Sequence, residues 1–244
     1  DALFPFGFVQ LSTWGRPNIP WGAEGSNDGV PVVRWAQTAN FGYVPNEAMP
    51  KTFMATAVDL GAYEGGCGKD TFPSLCIHPG YKSAVGARLA LGARNVALGE
   101  SDTYYSGPLF DSARATTVSG DAGAAANGGI VVEFRSTGLR GIEVRNASGF
   151  ELGVVATTSA AAEKGTHGAF GASTLNWVAA SVVGSSATSV TLSPCPQTGG
   201  CSVVVAVRYL WAQNPCTHPH GAIGNCSVYA ALEGLPATPF MHYL

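Results

Sequence analysis

The sequence predicts an α/β segment followed by an antiparallel β-rich region, and two observations carry this prediction. Two apolar runs before residue 61 give way, after a Gly-rich stretch, to apolar residues at helical spacing. Beyond Glu100 the pattern changes again, to short apolar runs separated by Gly, Ser, Asn and Pro. We therefore divide the chain into residues 1–100, the α/β segment, and residues 101–244, the β-rich region.

The α/β segment contains two predicted strands and two predicted helical stretches. Residues 4–11 are typical of a buried strand, and residues 51–60 end in a second apolar run, typical of a central parallel strand. Between them, residues 33–38 are predicted to be helical. Residues 81–98 show the apolar repeat of a longer helix, and Gly99 is a natural stop.

The β-rich region contains a series of short apolar runs with turn residues between them. Two stretches of small residues, 117–129 and 157–173, are predicted loops. Evenly spaced short strands are typical of an antiparallel sandwich or barrel. The predicted strands are residues 130–134, 142–144, 150–155, 175–183, 189–192 and 203–210.

Composition excludes several classes of protein. The 244 residues are 46% hydrophobic and 12% charged, which predicts a folded chain with a substantial core. A net charge of −3 offers no basic surface, so we expect no nucleic-acid partner. No apolar run approaches the roughly 18 residues of a transmembrane helix, so we expect no membrane span. Asp1 is not a translation start, and we expect that an upstream segment was removed.

Six cysteines fall into three pairs that are close in sequence, which predicts three small disulfide loops and an oxidising compartment. The alternatives are six reduced cysteines or a metal site, but neither Cys-x-x-Cys nor His-x-x-x-His spacing occurs. We therefore expect no metal and no cofactor. Because closing a short loop costs least, the predicted pairs are Cys67–Cys76, Cys195–Cys201 and Cys216–Cys226.

Two Asn-x-Ser tripeptides, beginning at Asn146 and Asn225, are candidate N-glycosylation sites. Together with the cysteines they predict a glycoprotein on the secretory route. We expect it to be secreted, lysosomal or at the cell surface.

Several blocks of this sequence resemble the sialate O-acetylesterase family, a group of Ser/His esterases. The histidine block is Cys76-Ile77-His78-Pro79, in which His78 stands just before a predicted helix. The remaining blocks occur in the family's order and span the chain, although residues 105–200 match poorly. They are FPFGFVQLSTW from residue 4, VRWAQTANFGYVPN from residue 33, MPKTFMA from residue 49, RLALGAR from residue 88, VRYLW from residue 207 and LPATPF from residue 235.

The resemblance implies the C-terminal part of an SGNH-type α/β/α hydrolase domain that removes O-acetyl groups from sialic acid. It implies that His78 is the general base of a serine nucleophile. The family's serine lies in a Gly-Gln-Ser-Asn block, and that block does not occur in these 244 residues. We therefore expect a separate N-terminal chain of the same precursor, hereafter the N-terminal chain, to supply the serine.

The acid that orients the imidazole departs from the common pattern. SGNH hydrolases often have an aspartate three residues before the histidine, and here that position is Leu75. The candidates are Asp70, inside the predicted Cys67–Cys76 loop, and Asp59, at the end of a predicted strand; otherwise the histidine acts in a dyad.

Arg34 and Gln37 are candidates for substrate binding, because a guanidinium suits a sugar carboxylate. The alternative for Arg34 is a buried side chain that braces the fold. At the level of function, one alternative is a non-catalytic carbohydrate-binding or structural glycoprotein on the same fold. A further alternative is an esterase of the acetyl xylan type.

Overall fold

The computed structural model describes residues 3–13, 29–61, 77–78, 81–116, 129–136, 138–155, 175–193, 203–216 and 225–244. It places a small α/β unit in the first hundred residues and antiparallel sheets in the remainder. The boundary predicted near residue 100 separates the last helical turn from the first strand of the β-rich region.

The α/β unit is built on two parallel strands. Strand β1 (Phe6–Gln10) pairs with β2 (Thr52–Thr56), and helix α1 (Gly29–Ala36) lies between them in sequence. Helix α2 (Lys82–Gly92) follows and continues into a π-helical turn, Ala93–Ala97. Each predicted strand and helix of this unit has a counterpart, although β1, predicted to be buried, exposes Phe6 and Val9, and the helix predicted at residues 33–38 lies at Gly29–Ala36. In the described residues, however, β2 pairs only with β1 and ends at Thr56, because the chain turns at residues 57–60.

The ring of Phe53 in β2 packs directly against the backbone of β1 and of α2. A methyl carbon built on Gly7 of β1 would lie 2.2 Å from the ring of Phe53, and one built on Gly92 of α2 would lie 2.8 Å from it. The Phe53 ring is therefore enclosed between two glycines. A side chain at either position would force the ring or the helix to move.

Over its described residues, the β-rich region contains two four-stranded antiparallel sheets and one two-stranded sheet. The first sheet has the order β12-β10-β6-β7, the second β3-β4-β9-β8, and the third pairs β11 with β5. The strands are β3 (Leu109–Ala115), β4 (Ile130–Arg135), β5 (Ile142–Val144), β6 (Phe150–Val155), β7 (Asn176–Ala180), β8 (Val182–Ser185), β9 (Ser189–Leu192), β10 (Val203–Tyr209), β11 (Val228–Ala230) and β12 (Phe240–Tyr243).

The two four-stranded sheets share one apolar core. Alternate side chains of β4 and β9 meet those of β6, β10 and β12 in a single buried cluster. Phe240 lies near its centre, with ring centroids 4.4 Å from Phe110, 5.8 Å from Tyr209 and 6.4 Å from Phe150. This arrangement confirms the prediction of a β-rich region of antiparallel sheets.

Three strands lie outside the predicted set, and one predicted strand is divided. β3 was missed because its sequence, LFDSARA, has an aspartate and an arginine among small residues. β11 and β12, three and four residues long, were also missed. The predicted strand at 175–183 breaks at Ser181, so that its halves β7 and β8 belong to different sheets.

Candidate functional site

Buried polar residues gather where the two parallel strands end. We call this place the carboxyl edge and define it as residues 11–13, which follow β1, together with residues 57–61, which follow β2. The Ser12 hydroxyl donates to the carbonyl of Ala57 at 2.9 Å, which joins the two segments. Loops at the carboxyl ends of parallel strands are the usual location of binding and catalytic groups in α/β proteins.

Arg34 of α1 lies beneath this edge with its side chain fully buried. Its Nε donates to the carbonyl of Leu11 at 2.9 Å, and its Nη2 donates to that of Ser12 at 2.7 Å. The same guanidinium donates to the carbonyls of Ala212 at 2.7 Å and Gln213 at 2.8 Å, in the β-rich region. Arg34 thus ties the end of β1 to the segment after β10.

The chemistry of these contacts favours bracing as the role of Arg34. Burial lowers the pKa of its guanidinium from 12.5 to about 9, which leaves it charged at neutral pH. Four carbonyl oxygens compensate that charge, and each such hydrogen bond from a charged donor contributes about 1.5–3 kcal/mol. The contacts therefore fit the bracing role that was the alternative in the sequence analysis. Substrate binding by Arg34 stays a prediction.

Gln37, one residue beyond the end of α1, contacts the backbone of β1. Its Oε1 accepts from the amide of Leu11 at 2.8 Å, and its Nε2 donates to the carbonyl of Val9 at 3.1 Å. Both ends of this side-chain amide are therefore occupied by the strand. The predicted contact of Gln37 with substrate stays a prediction.

Asp59 lies on the carboxyl edge with none of its surface exposed. Its carboxylate accepts two hydrogen bonds from Arg88 of α2, at 2.6 Å from Nη1 and 2.8 Å from Nη2. Arg88 also donates to the carbonyl of Thr56 at 2.5 Å. A third donor to Asp59 comes from the β-rich region, where the Tyr229 hydroxyl lies 3.3 Å from Oδ2. The carboxylate is thus held by α2 and by β11 together.

Tyr229 is fixed from several sides. The amide of Cys226 donates to its hydroxyl at 3.2 Å, and Cys226 forms the disulfide with Cys216. The guanidinium carbon of Arg145 lies 3.6 Å from the centre of the Tyr229 ring. Burial, followed by the negative charge of Asp59, raises the pKa of the Tyr229 hydroxyl, so that it stays protonated and can donate to that carboxylate.

The described residues cover only part of the predicted catalytic set. His78 is exposed and follows the partly buried Ile77. Asp70 lies outside the described residues, and among the described residues no contact joins Asp59 to His78. Asp59, the other candidate, has Arg88 and Tyr229 as its observed partners. The roles of all three residues in catalysis stay predictions.

The disulfide Cys216–Cys226, with Cα atoms 4.4 Å apart, confirms one predicted pair and fits an oxidising compartment. The pairs Cys67–Cys76 and Cys195–Cys201 lie outside the described residues.

The two predicted glycosylation tripeptides lie side by side. The Asn146 side chain donates to the carbonyl of Asn225 at 2.8 Å. The Ser227 hydroxyl, from the second tripeptide, donates to Asn146 Oδ1 at 3.1 Å and also contacts the carbonyl of Ser148. These contacts join the segment before β6 to the segment before β11. Glycosylation at either asparagine stays a prediction.

Arg88 and Tyr229 were not among the residues selected from the sequence. One signal for Arg88 was present, because it shares a helix face with Val85 and Gly92, both buried. A charged residue on an apolar face needs a partner, and here the partner is Asp59. Tyr229 gave no comparable signal.

Comparison with known proteins assigns the family. The family model for the sialate O-acetylesterase C-terminal domain matches residues 122–244, half of the chain. The chain is 33% identical over 246 aligned residues to a sialate O-acetylesterase of Pongo abelii, and 34% identical over 241 to that of Mus musculus. The chain belongs to the sialate O-acetylesterase family.

The match to sialate O-acetylesterases runs over the whole of this chain but over a minor part of theirs. It covers 100% of this chain and 38% of the Pongo abelii protein, and 99% and 36% for the Mus musculus protein. The protein of Rattus norvegicus is 49% identical over 109 residues, 45% of this chain and 18% of its own length. Within the described ranges, no helix has the length and apolar character needed to cross a membrane.

Proposed function

We propose that this chain is the histidine-bearing part of an esterase that removes O-acetyl groups from sialic acid or a related acetylated sugar. The observation that carries the proposal is the end-to-end match to proteins named sialate O-acetylesterase. The position of His78 supports it, since this histidine is exposed and follows the carboxyl edge in sequence. An exposed imidazole is accessible to a hydroxyl supplied by another chain.

In this proposal His78 acts as a general base. It takes the proton from a serine hydroxyl as the serine attacks the acetyl carbonyl, and then returns a proton to the departing sugar oxygen. A carboxylate on the second ring nitrogen holds the tautomer and stabilises the imidazolium. Both Asp59 oxygens already accept from Arg88, so we favour Asp70 as this carboxylate and keep Asp59 as the second candidate.

We further propose that β1 and β2 belong to a larger SGNH-type α/β/α sheet completed by the N-terminal chain, which carries the serine. The exposure of β1 supports this, since Phe6 is 61% exposed whereas Met54 of β2 is 6% exposed. Two buried polar atoms at the end of β1, Gln10 Oε1 and Thr13 Oγ1, have no partner among the described residues. Buried polar groups without partners cost about 1–3 kcal/mol each, so this end of β1 fits a site where further chain packs.

The test is release of acetate from an O-acetylated sialic acid by the two chains purified together. His78→Ala should lower kcat by several powers of ten, because members of a triad act as a unit. Asp70→Asn should lower it less than His78→Ala does. His167→Ala, which changes a histidine outside the family's blocks, is the matched control and should leave kcat within about threefold, less than about 1 kcal/mol in the barrier.

A non-catalytic role remains the second candidate, favoured by one departure, the leucine at position 75 where an aspartate is common. A correctly folded two-chain protein that binds an O-acetylated glycan but releases no acetate would establish that role and refute the esterase. Acetate release from acetylated xylan and not from sialic acid would instead select the polysaccharide substrate.

A further inference from the structure

The backbone groups of β1 alternate between its paired side and its outer side. The Phe6 amide donates to the carbonyl of Lys51 at 3.1 Å, and Phe6 is in register with Thr52. In a parallel pair every second residue directs both its N–H and its C=O toward the neighbouring strand. Phe6, Phe8 and Gln10 therefore face β2, whereas Gly7, Val9 and Leu11 direct their backbone groups to the outer side.

Gln37 already occupies one end of that outer side. Its amide donates to the carbonyl of Val9 and accepts from the N–H of Leu11, at 3.1 and 2.8 Å. A residue of a neighbouring parallel strand makes the same two contacts, to a carbonyl and to the N–H two residues further on. The side chain of Gln37 thus takes the place of one residue of a further parallel strand. In the described residues, β1 has no strand on this side, and the groups toward its amino end are open.

The side chains show which edge of the parallel pair is incomplete. Phe6 is 61% exposed and Val9 is 37% exposed, although they lie on opposite faces of β1. On β2, Met54 and Ala55 also lie on opposite faces, and both are buried. Parallel sheets are normally covered on both faces, so the missing structure lies on the side of β1.

We propose that one parallel strand of the N-terminal chain pairs with the outer edge of β1, from Gly7 to the amide of Val9, and stops where Gln37 begins. The proposal rests on the proposed function for the identity of the partner. The length of the relatives supports this occupant, since the matched region is only 36–38% of theirs. An edge of this kind left open is a site for unwanted strand pairing, and a strand from the same precursor removes it.

The position of Gln37 has a consequence for the partner. A strand that continued past Val9 would need the carbonyl of Val9 and the N–H of Leu11, both of which Gln37 holds. The N-terminal chain must therefore turn at the level of Val9. Its next residues then come beside residues 11–13 of the carboxyl edge, which Arg34 keeps in place. Gln37 acts as a positioning residue that sets where the partner strand ends.

Residue-resolved amide hydrogen exchange on the intact two-chain protein tests this proposal. The amides of Phe8 and Gln10, which face β2, should exchange at least roughly a hundredfold more slowly than exposed amides. Those of Gly7 and Val9 should be as slow, because the proposed strand accepts their hydrogen bonds. Rapid exchange at Gly7 and Val9, with Phe8 and Gln10 slow, would overturn it. Failure of the N-terminal chain to bind at all would overturn it as well.

The variant Gln37→Ala tests the cap separately. It should speed exchange at Leu11 by about tenfold or more while Gly7 and Val9 stay protected, since only Leu11 loses its acceptor. Loss of protection along the whole strand, or no change at Leu11, contradicts the assigned register. If this variant does not fold, the exchange pattern of the wild-type protein tests the proposal by itself. Acetate release is measured on the same samples. Slow exchange without acetate release refutes the esterase alone, and acetate release with fast exchange at Gly7 and Val9 refutes the strand alone.

Discussion

Replacement of Arg88 by methionine tests whether the buried Asp59–Arg88 pair stabilises the α/β unit and the Asp59 carboxylate that Tyr229 of the β-rich region contacts. Arg88→Met keeps most of the length of the side chain and removes the two donors that lie 2.6 and 2.8 Å from the Asp59 carboxylate. It also removes the donor to the carbonyl of Thr56. Asp59 is then left fully buried, with the Tyr229 hydroxyl at 3.3 Å as its remaining donor in the described structure.

The expected cost follows from that unpaired charge. Removing one partner of a buried ion pair typically costs about 3–5 kcal/mol, because the remaining charge has lost its compensation. A domain has about 5–15 kcal/mol of stability in total, so Arg88→Met should remove a large share of it. The double variant Asp59→Leu/Arg88→Met replaces both charges with apolar groups. It should therefore recover much of the loss, since apolar substitutes for buried pairs are often neutral.

The chain contains a matched control, the ion pair Arg94–Glu100, with an N–O distance of 2.6 Å and side chains 53% and 45% exposed. Exposed pairs contribute about 0.2–1 kcal/mol, so Arg94→Met should lower the free energy of unfolding by no more than that. Urea denaturation followed by tryptophan fluorescence gives each value. The expected loss is about 3–5 kcal/mol for Arg88→Met. If the losses for Arg88→Met and Arg94→Met instead agree within about 1 kcal/mol, the buried pair does not stabilise the fold more than an exposed pair does.

Three further predictions concern stability and use the same urea measurement. Gly92→Ala should lower the free energy of unfolding by about 1–3 kcal/mol, because the new methyl carbon would lie 2.8 Å from Phe53. Gly86→Ala, whose methyl carbon would have no atom within 4 Å, should raise it by about 0.5–1 kcal/mol. Equal effects of the two variants would contradict the packing around Phe53. Arg34→Lys should cost at least about 2 kcal/mol, since an ammonium cannot reproduce the planar fork that reaches four carbonyls, and a loss under about 0.5 kcal/mol would refute the bracing role. Cys216→Ser should cost about 2–4 kcal/mol, and a variant as stable as the wild type would argue against the contribution of this disulfide.

Periodicity and spacing were sufficient for the features that depend on neighbouring residues. The helix at 81–98 and the strands near residues 4–11 and 203–210 followed from local alternation, and α2, β1 and β10 lie there. The disulfide Cys216–Cys226 was also predictable, because its partners are 10 residues apart and a short loop closes easily.

Strand pairing was decided by the tertiary structure. The apolar run at 175–183 is continuous in sequence, yet its two halves pair in different sheets. Val178 pairs with β6 in the first sheet, and Val182 pairs with β9 in the second. Local sequence does not reveal such a change of sheet, because it depends on which distant strand supplies the hydrogen bonds. β11 is recognisable as a strand mainly through its pairing with β5.

The roles of the charged and polar candidates depended most on the fold. The sequence identified Arg34 and Gln37 as candidates for substrate binding and Asp59 as a candidate acid, but it could not say which residues they contact. Arg34 bonds carbonyls 178 and 179 residues away, and the Tyr229 hydroxyl reaches Asp59 across 170 residues. A buried charge is stable only where the folded chain brings donors or acceptors to it, and that arrangement is set by the packing of the two parts of the chain.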